Sequence, residues 1–380
     1  MAACASAAGL SGRLGRWCGL SSSEAAPVSR SGFRTETSGA RLLRLGHQLG
    51  FFLLSLAVTF LGLTAVTFFI GRFIPVDPVL AVVGDHANHD VYEKTRLAMG
   101  LDRPIIVQYV IYLKKVLAGD LGESVMTSQP VLADLLTFFP ATFELATLAT
   151  IFGVLIGVPA GVAAGAQKGR WPDHVVRVLG LFGYSTPVFW LGLVGLFVFY
   201  GKLGWVAGTG RLDVGYDDIV TTRTGVLLID SALQGEWDVF RNAVGHLILP
   251  GAILAYYSLA YIARMARSFM IDQLGQEYVT AARVKGRSFW GAVWLHAFPN
   301  IMVPLITVIG LSYASLLEGA VLTETVFAWP GLGRYITQSL FNADMNAVLG
   351  GTLVVGAVFI GINAFCDFLY KIFDPRLRRA

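Results

Sequence analysis

Six long apolar stretches recur along the chain, separated by segments richer in polar residues. They cover 49–70, 141–165, 176–200, 246–264, 301–323 and 345–369. Each is about twenty residues long, which is the length that a helix needs to cross a hydrocarbon core about 30 Å thick. The fourth is diluted by Pro250 and by three tyrosines. The pattern predicts an all-α integral membrane protein with six transmembrane helices.

A seventh element is predicted outside the apolar stretches, in the segment 99–124. Ile105, Tyr109, Tyr112 and Val116 recur at three- and four-residue spacing, which is typical of an amphipathic helix. Gly119 and Gly122 then indicate a turn. We expect this helix to pack on the outside of the bundle, and a landing surface for an external partner remains the alternative.

Composition agrees with a membrane protein. Of the 380 residues, 55% are hydrophobic and 14% are charged, whereas soluble domains carry about 25% charged residues. Lys and Arg concentrate in the N-terminal tail, around 166–177, in 264–300 and after 370. These segments hold 18 basic and 6 acidic residues, against 11 and 15 in the three intervening segments. The positive-inside rule therefore places both termini in the cytoplasm. Because the basic excess follows topology, we expect no nucleic-acid partner.

The chain divides into three predicted regions. Residues 1–45 are rich in Ser, Ala and Arg, a composition that organellar transit peptides share but without the apolar core of a secretory signal. We interpret them as a disordered cytoplasmic tail or a start site assigned too far upstream. Residues 46–370 form the transmembrane domain, with a cytoplasmic loop at 265–300. Residues 371–380 form a cytoplasmic C-terminal tail.

Two small-residue patterns lie within the predicted spans. Gly157–Gly165 reads GVPAGVAAG, and such stripes let membrane helices approach closely. Ser185, Thr186 and Pro187 occur together in the third span. A Ser/Thr-Pro group loosens a helix and offers hydroxyls to a translocation path, although a structural kink accounts for it equally simply.

The sequence contains no recognisable motif for catalysis or for ion coupling. It contains no phosphate-binding loop, no Gly-x-Ser-x-Gly and no His-Glu-x-x-His, and its histidines do not cluster. We predict neither an enzyme nor a metal site. Charges within the spans are limited to Glu144, Glu318 and Asp367, all near helix ends. Ion-coupled secondary transporters need such charges at mid-membrane depth, so that class is only the runner-up.

The segment Glu277–Pro299, EYVTAARVKGRSFWGAVWLHAFP, interrupts two apolar spans. Its residues predict a short helix from Glu277 to Lys285 that ends at Gly286, since glycine just beyond a helix end adopts the left-handed conformation easily. Ser288 is expected to cap a second helix that Pro299 closes. We interpret this helix–turn–helix as a knob on which a cytoplasmic partner docks.

This segment resembles the EAA loop of binding-protein-dependent ABC importer permeases, in the dipeptide and oligopeptide class. Ala281, Ala282, Gly286 and Pro299 match the motif, whereas Thr280 replaces its glutamate. Further resemblances in the same order as in the family are GLDRPIIVQY, GDLGES, STPVFWLG, HLILPG, LTETVFAWPGLG and FDPRLR.

The resemblance covers roughly 45–378 and implies the type I ABC importer architecture in a bacterial inner membrane, surrounded by lipid. It implies a second homologous permease in a heterodimer, two cytoplasmic ATPases that carry ATP and Mg, and a periplasmic solute-binding protein. The permease itself binds no cofactor. We call 265–300 the docking loop. Its expected ATPase-docking residues are Glu277, Thr280, Ala281, Ala282, Arg283, Lys285, Gly286 and Pro299.

The stretch Ala320–Gly333 after the fifth span is predicted to form a hairpin, here called the outer hairpin. Phe327 and Trp329 suit the headgroup level of a membrane. Pro330 and Gly331 predict a turn in which glycine supplies a positive φ. Glu324 is expected to orient the hairpin by hydrogen bonding. The hairpin either gates the pore, together with Ser185, Thr186 and Pro187 along the path, or only connects two helices.

Overall fold

The structure is a computed structural model that describes residues 38–73, 78–84, 88–217 and 219–373. By internal contacts the chain divides into Met1–Leu53 and Leu54–Ala380. Of the first unit, only the helix that begins at Ser38 is described, so most of the predicted tail 1–45 lies outside the described residues. The C-terminal tail does so from 374 onward. The fold below is that of the second unit.

The described backbone is helical and contains no β-strand. The helices are α1 (Ser38–Phe73), α2 (Pro78–Val83), α3 (His89–Ala98), α4 (Ile105–Leu117), α5 (Val131–Ala166), α6 (Trp171–Ser185), α7 (Val188–Gly195), α8 (Leu227–Gln234), α9 (Trp237–Leu274), α10 (Glu277–Val284), α11 (Phe289–Ala292), α12 (Phe298–Val326), α13 (Leu332–Phe341) and α14 (Met345–Phe373). A π-helical turn, Leu196–Lys202, extends α7, and a second one, Val293–Ala297, joins α11 to α12.

Five helical segments of the described chain are long and apolar enough to cross a membrane. They are Leu54–Arg72, Val131–Ala166, Trp237–Leu274, Phe289–Val326 and Met345–Leu369. The prediction of an all-α membrane protein is confirmed, and the number of spans is five, or six if one bent pair of helices counts as a span.

That bent pair replaces the continuous helix predicted at 176–200. Trp171–Gly183 and Val188–Lys202 meet at 93°. The break follows from Pro187, which lacks an N–H and disfavours helical geometry in the residue before it. Thr186 is accordingly extended, with φ −94° and ψ 126°. The third span is therefore two half-helices.

The fourth and fifth spans are longer than predicted. The stretch 246–264 lies inside the 38-residue α9, which accommodates Pro250. Within the docking loop and beyond it, α11, the π-helical turn and α12 run on as one membrane-length segment, Phe289–Val326. Pro299 lies in the first turn of α12, where the missing N–H removes no helical hydrogen bond. The prediction that Pro299 closes a helix is wrong, because it begins one.

The centre of the bundle is the contact between α5 and α9. The small residues of α5 face α9 with no room for a side chain: a Cβ at Gly161 would lie 2.4 Å from the Ala263 carbonyl oxygen, and one at Gly165 2.8 Å from the Arg267 carbonyl oxygen. Close backbone approach of this kind maximises dispersion contacts where lipid removes the hydrophobic advantage. The predicted role of the small-residue stripe is confirmed.

The amphipathic helix α4 packs against α1. The Tyr109 hydroxyl shares a hydrogen bond with Thr64 Oγ1 at 3.0 Å, and the Tyr112 hydroxyl shares one with Thr67 Oγ1 at 3.3 Å. On the opposite face Ile106 is 74% exposed. The expected packing role is confirmed, and the landing surface stays a prediction for the exposed face.

Candidate functional site

The docking loop forms the helix–turn–helix that its sequence predicts. The helix α10 ends at Val284, and Gly286 follows with φ +89°. The Ser288 side chain accepts a hydrogen bond from the Gly291 N–H at 3.1 Å and caps α11. Both local signals therefore act as expected, and the knob has a defined shape.

The predicted docking residues of α10 lie on two different faces of the helix, one buried and one exposed. Val279 and Ala282 are buried, and Val279 belongs to a core cluster with Met270, Val293 and Ala297. The residues on the surface are Glu277, Thr280, Ala281, Arg283, Lys285 and Gly286. Of the two alanines in the motif, only Ala281 faces outward, since Ala282 seats the helix on its own chain.

Sequence analysis missed four residues of this loop, namely Val284, Tyr278, Gln273 and Asn300. Val284 is 83% exposed, which makes it an apolar residue at the tip of the knob. The Tyr278 hydroxyl donates to Gln273 Oε1 at 2.8 Å and accepts from Asn300 Nδ2 at 3.1 Å. Burial raises the pKa of Tyr278. These hydrogen bonds join α9 to the start of α12 across α10. The only feature of the sequence that could have predicted them is the presence of polar residues at both ends of the loop.

The outer hairpin is organised around Glu324, whose side chain is fully buried. Thr142 Oγ1 donates to Glu324 Oε1 at 2.6 Å, and the Arg334 N–H donates to Glu324 Oε2 at 2.9 Å. The Trp329 N–H donates to the Glu324 carbonyl at 2.8 Å. Glu324 therefore fixes the turn from both its backbone and its carboxylate, as the sequence led us to expect.

Two expectations for this hairpin are wrong. Phe327 and Trp329 are each 1% exposed, and Trp329 Nε1 donates to the Ala141 carbonyl at 3.0 Å, so they anchor the turn inside the protein rather than at the lipid surface. Gly331 has φ −103°, and the positive φ falls on Ala328, at 50°. Glycine is needed at 331 for space, because a Cβ would lie 2.3 Å from Glu324 Oε1.

A second segment, the outer loop 203–236, is fastened to the hairpin. The Gly210 N–H donates to the Phe327 carbonyl at 2.7 Å. Arg211 forms an ion pair with Glu144, and its guanidinium carbon lies 5.9 Å from the centroid of the Trp329 ring. Glu144 is 3% exposed in this pair. The sequence flagged Glu144 as a charge near the end of a span but gave no signal for its partner.

The outer loop also contains a carboxylate held by hydrogen bonds. Asp230 accepts from the backbone N–H groups of Arg223, Thr224 and Gly225 at 2.9–3.1 Å. Burial raises the pKa of the Asp230 carboxyl, but the donors outweigh it, and the net pKa lies below its ordinary value. Hydrogen bonds therefore define the conformation of the outer loop around Asp230.

The remaining path candidates lie elsewhere. Ser185 and Pro187 are exposed at the break between α6 and α7, and Thr186 is half-buried. Ser185 lines a groove between α6 and α9. The structure brings Glu324, Trp329, Pro330 and Gly331 together, but it places Ser185 in this separate groove. Within the described residues, no group of three or more His, Cys, Asp or Glu side chains has metal-binding geometry.

Comparison with known proteins gives two family matches along the chain. Residues 157–379 match the inner membrane component of binding-protein-dependent transport systems, and residues 51–146 match the N-terminal part of such membrane components. A probable D,D-dipeptide transport system permease of Escherichia coli is 44% identical over 84% of this chain and 93% of the relative. A di/tripeptide transport system permease of Pseudomonas aeruginosa is 42% identical over 84% and 95%.

Among solved structures, an inward-facing methionine ABC transporter aligns with a TM-score of 0.45 and 16% identity, over 63% of this chain and 96% of that one. That likeness is too low to support an argument. The assignment depends instead on the family matches and on relatives above 40% identity over most of their length, which agree with the helical membrane fold. The chain belongs to the family of binding-protein-dependent transport system inner membrane components.

Proposed function

We propose that the chain is the permease subunit of an ATP-driven importer that moves di- and tripeptides across the bacterial inner membrane. The observation that carries this proposal is the identity of 44% and 42% to permeases of dipeptide and di/tripeptide transport systems, over 84% of the chain. The subunit is not an enzyme. ATP and Mg act on partner ATPases, and a binding protein delivers the peptide.

The docking loop is the proposed ATPase contact. It presents Ala281 and Val284 as exposed apolar side chains, and Arg283 and Lys285, on either side of Val284 in the chain, are exposed as well. Small side chains let a partner approach the helix backbone closely, and Val284, 83% exposed, adds apolar surface at the tip of the knob. The helix α10 is attached to the rest of the chain through the buried side chains of Val279 and Ala282. Such an attachment suits a helix that must transmit the movement of the ATPases to the permease.

The proposed assembly pairs this chain with a second, homologous permease and two ATPases. The groove between α6 and α9 is open on one side, and the half-helices α6 and α7 expose large apolar side chains, among them Leu181, Phe182 and Trp190. Either lipid or a second permease covers such a surface in the membrane. A dimer is the proposed state, because a path through the membrane needs a second wall, and the resemblance to the peptide-importer class favours a heterodimer.

Transport in proteoliposomes tests the function. The purified complex, with its binding protein, is expected to accumulate labelled L-alanyl-L-alanine only when ATP is present, and a proton ionophore is expected to leave uptake unchanged. Uptake that follows an ion gradient without ATP would instead establish a secondary transporter and overturn the proposal.

The docking contact is tested separately. Ala281→Arg is expected to prevent co-purification of the ATPases, because the long side chain displaces the approaching partner. Val214→Arg is the matched control, since Val214 is 88% exposed on the outer loop. Retention of the ATPases by the Ala281 variant at wild-type abundance would remove α10 from the interface.

A further inference from the structure

A groove of about 230 Å³, here called the α1–α14 groove, lies between α1, α4 and the beginning of α14. Its described lining combines apolar side chains, among them Phe68, Leu349 and Leu353, with the charged side chains of Arg72, Lys115 and Asp120. Phe68 and Leu353 are 3% and 5% exposed, whereas the three charged residues are exposed. The groove therefore has an apolar floor and a charged mouth, and the transport function described above assigns it no role.

The mouth of the groove lies at the end of a membrane span. Arg72 is the last residue of the membrane-length segment Leu54–Arg72, and Phe68 lies one helical turn, about 6 Å, nearer the membrane centre. Arginine side chains near the ends of spans extend to the membrane interface. The mouth is therefore at the depth of the lipid headgroups, and the floor is at the depth where acyl chains begin.

The helix α4, which forms one wall of the groove, gives a second indication of lipid. Ile106, Val110 and Leu117 follow one another at spacings of four and seven residues, which places them on one face of the helix. They are 74%, 44% and 70% exposed. An amphipathic helix with an exposed apolar face of this kind lies in the membrane interface. The end of α1 and the surface of α4 thus place the groove beside lipid headgroups independently of each other.

The groove is on the same side of the membrane as the outer hairpin. Leu121, which lines the groove, packs against the core cluster that contains Leu332 and Tyr335 of α13. Asn346 Nδ2 donates to the Glu123 carbonyl at 3.0 Å and so fixes the beginning of α14 to the segment after α4. A ligand in the groove would therefore hold α1, α4 and α14 together next to the helix that follows the hairpin.

The charged mouth keeps an excess of one positive charge over its described lining, since two cations face one carboxylate. Lys115 Nζ lies 3.7 Å from Asp120 Oδ2, and Lys115 stays 62% exposed. Asp120 Oδ1 accepts the Gly122 N–H at 3.0 Å, which orients the carboxylate. The Arg72 guanidinium carbon lies 5.4 Å from the centroid of the Phe68 ring. Both cations are thus positioned by neighbours while their donors remain accessible.

Topology does not account for these two cations. The segments on this side of the membrane hold 11 basic and 15 acidic residues, so Arg72 and Lys115 run against the positive-inside pattern. A basic pocket beside a membrane helix is a feature that recognises lipid headgroups. The phosphodiester of phosphatidylglycerol carries one negative charge, which matches the excess of one positive charge at the mouth.

We infer that the α1–α14 groove binds the phosphate of an anionic phospholipid, phosphatidylglycerol, in the leaflet on the side of the outer hairpin. Arg72 and Lys115 donate to the phosphate oxygens, and Phe68 and Leu353 contact the beginning of the acyl chains. The inference does not depend on which solute the complex transports. A free phosphate ester shares the anionic chemistry but has no acyl chains, so the test separates the two sources.

The test uses the complete complex of permeases and ATPases, purified in detergent and depleted of lipid. The probes are dioctanoylphosphatidylglycerol, dioctanoylphosphatidylcholine and glycerol 3-phosphate, each measured by equilibrium binding. We expect the phosphatidylglycerol to bind at least about tenfold more tightly than either of the other two. The choline group places a cation beside Arg72 and Lys115, and glycerol 3-phosphate makes no contact with the apolar floor.

Variants assign the binding to the groove. Arg72→Gln and Lys115→Gln are each expected to weaken binding of the phosphatidylglycerol by about tenfold, because each removes a charge-assisted hydrogen bond. Arg72→Lys keeps the charge and is expected to retain most of the affinity. Lys114→Gln is the matched control, because Lys114 is exposed on the same helix but does not line the groove. Thermal stability without lipid is measured for every variant, and the exposed Lys115 variant is expected to match the wild type.

Three results would overturn the inference. Equal loss of affinity in the Lys114 and Lys115 variants would mean a general effect of surface charge. Binding of glycerol 3-phosphate as tight as that of the phosphatidylglycerol would make the groove a site for free phosphate esters. If the Arg72 and Lys115 variants bind lipid as the wild type does but lose stimulation of ATP hydrolysis by the binding protein, the groove is a protein contact. ATP-driven uptake by the wild-type complex reports the proposed function separately from all three.

Discussion

Thr142 connects α5, α12 and α13 through one hydroxyl. Its Oγ1 donates to Glu324 Oε1 at 2.6 Å and accepts the Leu332 N–H at 2.7 Å. Donor and acceptor capacities of the hydroxyl are both used, and Thr142 is 1% exposed. The outer hairpin is therefore closed by a contact from a helix that lies almost two hundred positions earlier in the chain, which makes its position dependent on the packing of α5.

The first prediction distinguishes a gate from a connector at the outer hairpin. Glu324→Ala removes the acceptor for Thr142 and for the Arg334 N–H, leaving buried donors unsatisfied at about 1–3 kcal/mol each. If the hairpin gates the pore, the reconstituted complex is expected to hydrolyse ATP without binding protein, several-fold faster than wild type.

Thr142→Val removes the same hydrogen bond from the other helix, so it is expected to reproduce this effect in weaker form. Thr325→Ala is the matched control, because the exposed Thr325 hydroxyl bonds only to the Val321 carbonyl of its own helix. A basal ATPase rate that stays at the wild-type level in a well-folded Glu324 variant shows that the hairpin only connects helices.

The contrast between Gly286 and Trp329 shows what the sequence could predict. The turn at Gly286 and the Ser288 cap are set by neighbours within a few residues, so local patterns sufficed. The burial of Trp329 depends on Ala141 and Arg211, which lie far away in the chain. Hydropathy identified the spans because length and apolarity are local too. Pro187 likewise marked the site of the break in the third span, whereas its angle of 93° depends on how the two half-helices pack.

The second prediction concerns space at Gly331. Gly331→Ala places a Cβ within 2.3 Å of Glu324 Oε1, so either the carboxylate or the turn must shift. Overpacking of this kind costs about 1–3 kcal/mol, and the variant complex is expected to lose thermal stability. Gly319→Ala is the control in α12, since nothing lies within 4 Å of its Cβ position. Equal stability of the two variants would show that the Glu324 network is loosely held.

The third prediction concerns the buried ion pair of Glu144 and Arg211, whose side chains are 3% and 17% exposed. Breaking a buried pair from one side leaves an uncompensated charge and costs about 3–5 kcal/mol. Glu144→Gln and Arg211→Met are each expected to destabilise the complex strongly, and the double variant is expected to be less destabilised than the sum.

The control for this cycle is the exposed pair of Asp238 and Arg241, with 82% and 80% of the side chains accessible. Pairs of this kind contribute about 0–1 kcal/mol. Additive effects at Glu144 and Arg211, measured by thermal inactivation in the same membrane, would mean that the two charges do not stabilise each other.

The fourth prediction concerns the backbone at Gly286. Nothing lies within 4 Å of its Cβ position, but φ is +89°, so a substitution acts through the backbone alone. Gly286→Val is expected to abolish uptake at normal membrane abundance, because β-branched residues are misfits at positive φ. Gly286→Asn is expected to retain part of the activity, since Asn tolerates this region. Gly275→Ala is the control, with φ −77° in the same docking loop. Full uptake by the Val variant would exclude a coupling role for this turn.

The last prediction concerns the absolute orientation in the membrane. Lys168 follows the end of α5 at Ala166, which lies about 33 Å along the helix from Glu144 by the rise of 1.5 Å per residue, and Glu144 pairs with the outer loop. The fold therefore puts Lys168 and the outer loop on opposite sides of the bilayer. The excess of Lys and Arg determines which side is the cytoplasm.

Single cysteines test this assignment after Cys4, Cys18 and Cys366 have been replaced. Lys168→Cys and Arg287→Cys are expected to react with an impermeant thiol reagent only in inverted vesicles, and Val214→Cys only in right-side-out vesicles. Arg287 reports the position of the docking loop, because it must lie on the same side of the membrane as Lys168 if the ATPases bind to this loop. Reversed labelling of all three would place the docking loop outside the cell, where no ATPase partner is available, and the proposed coupling would then be untenable.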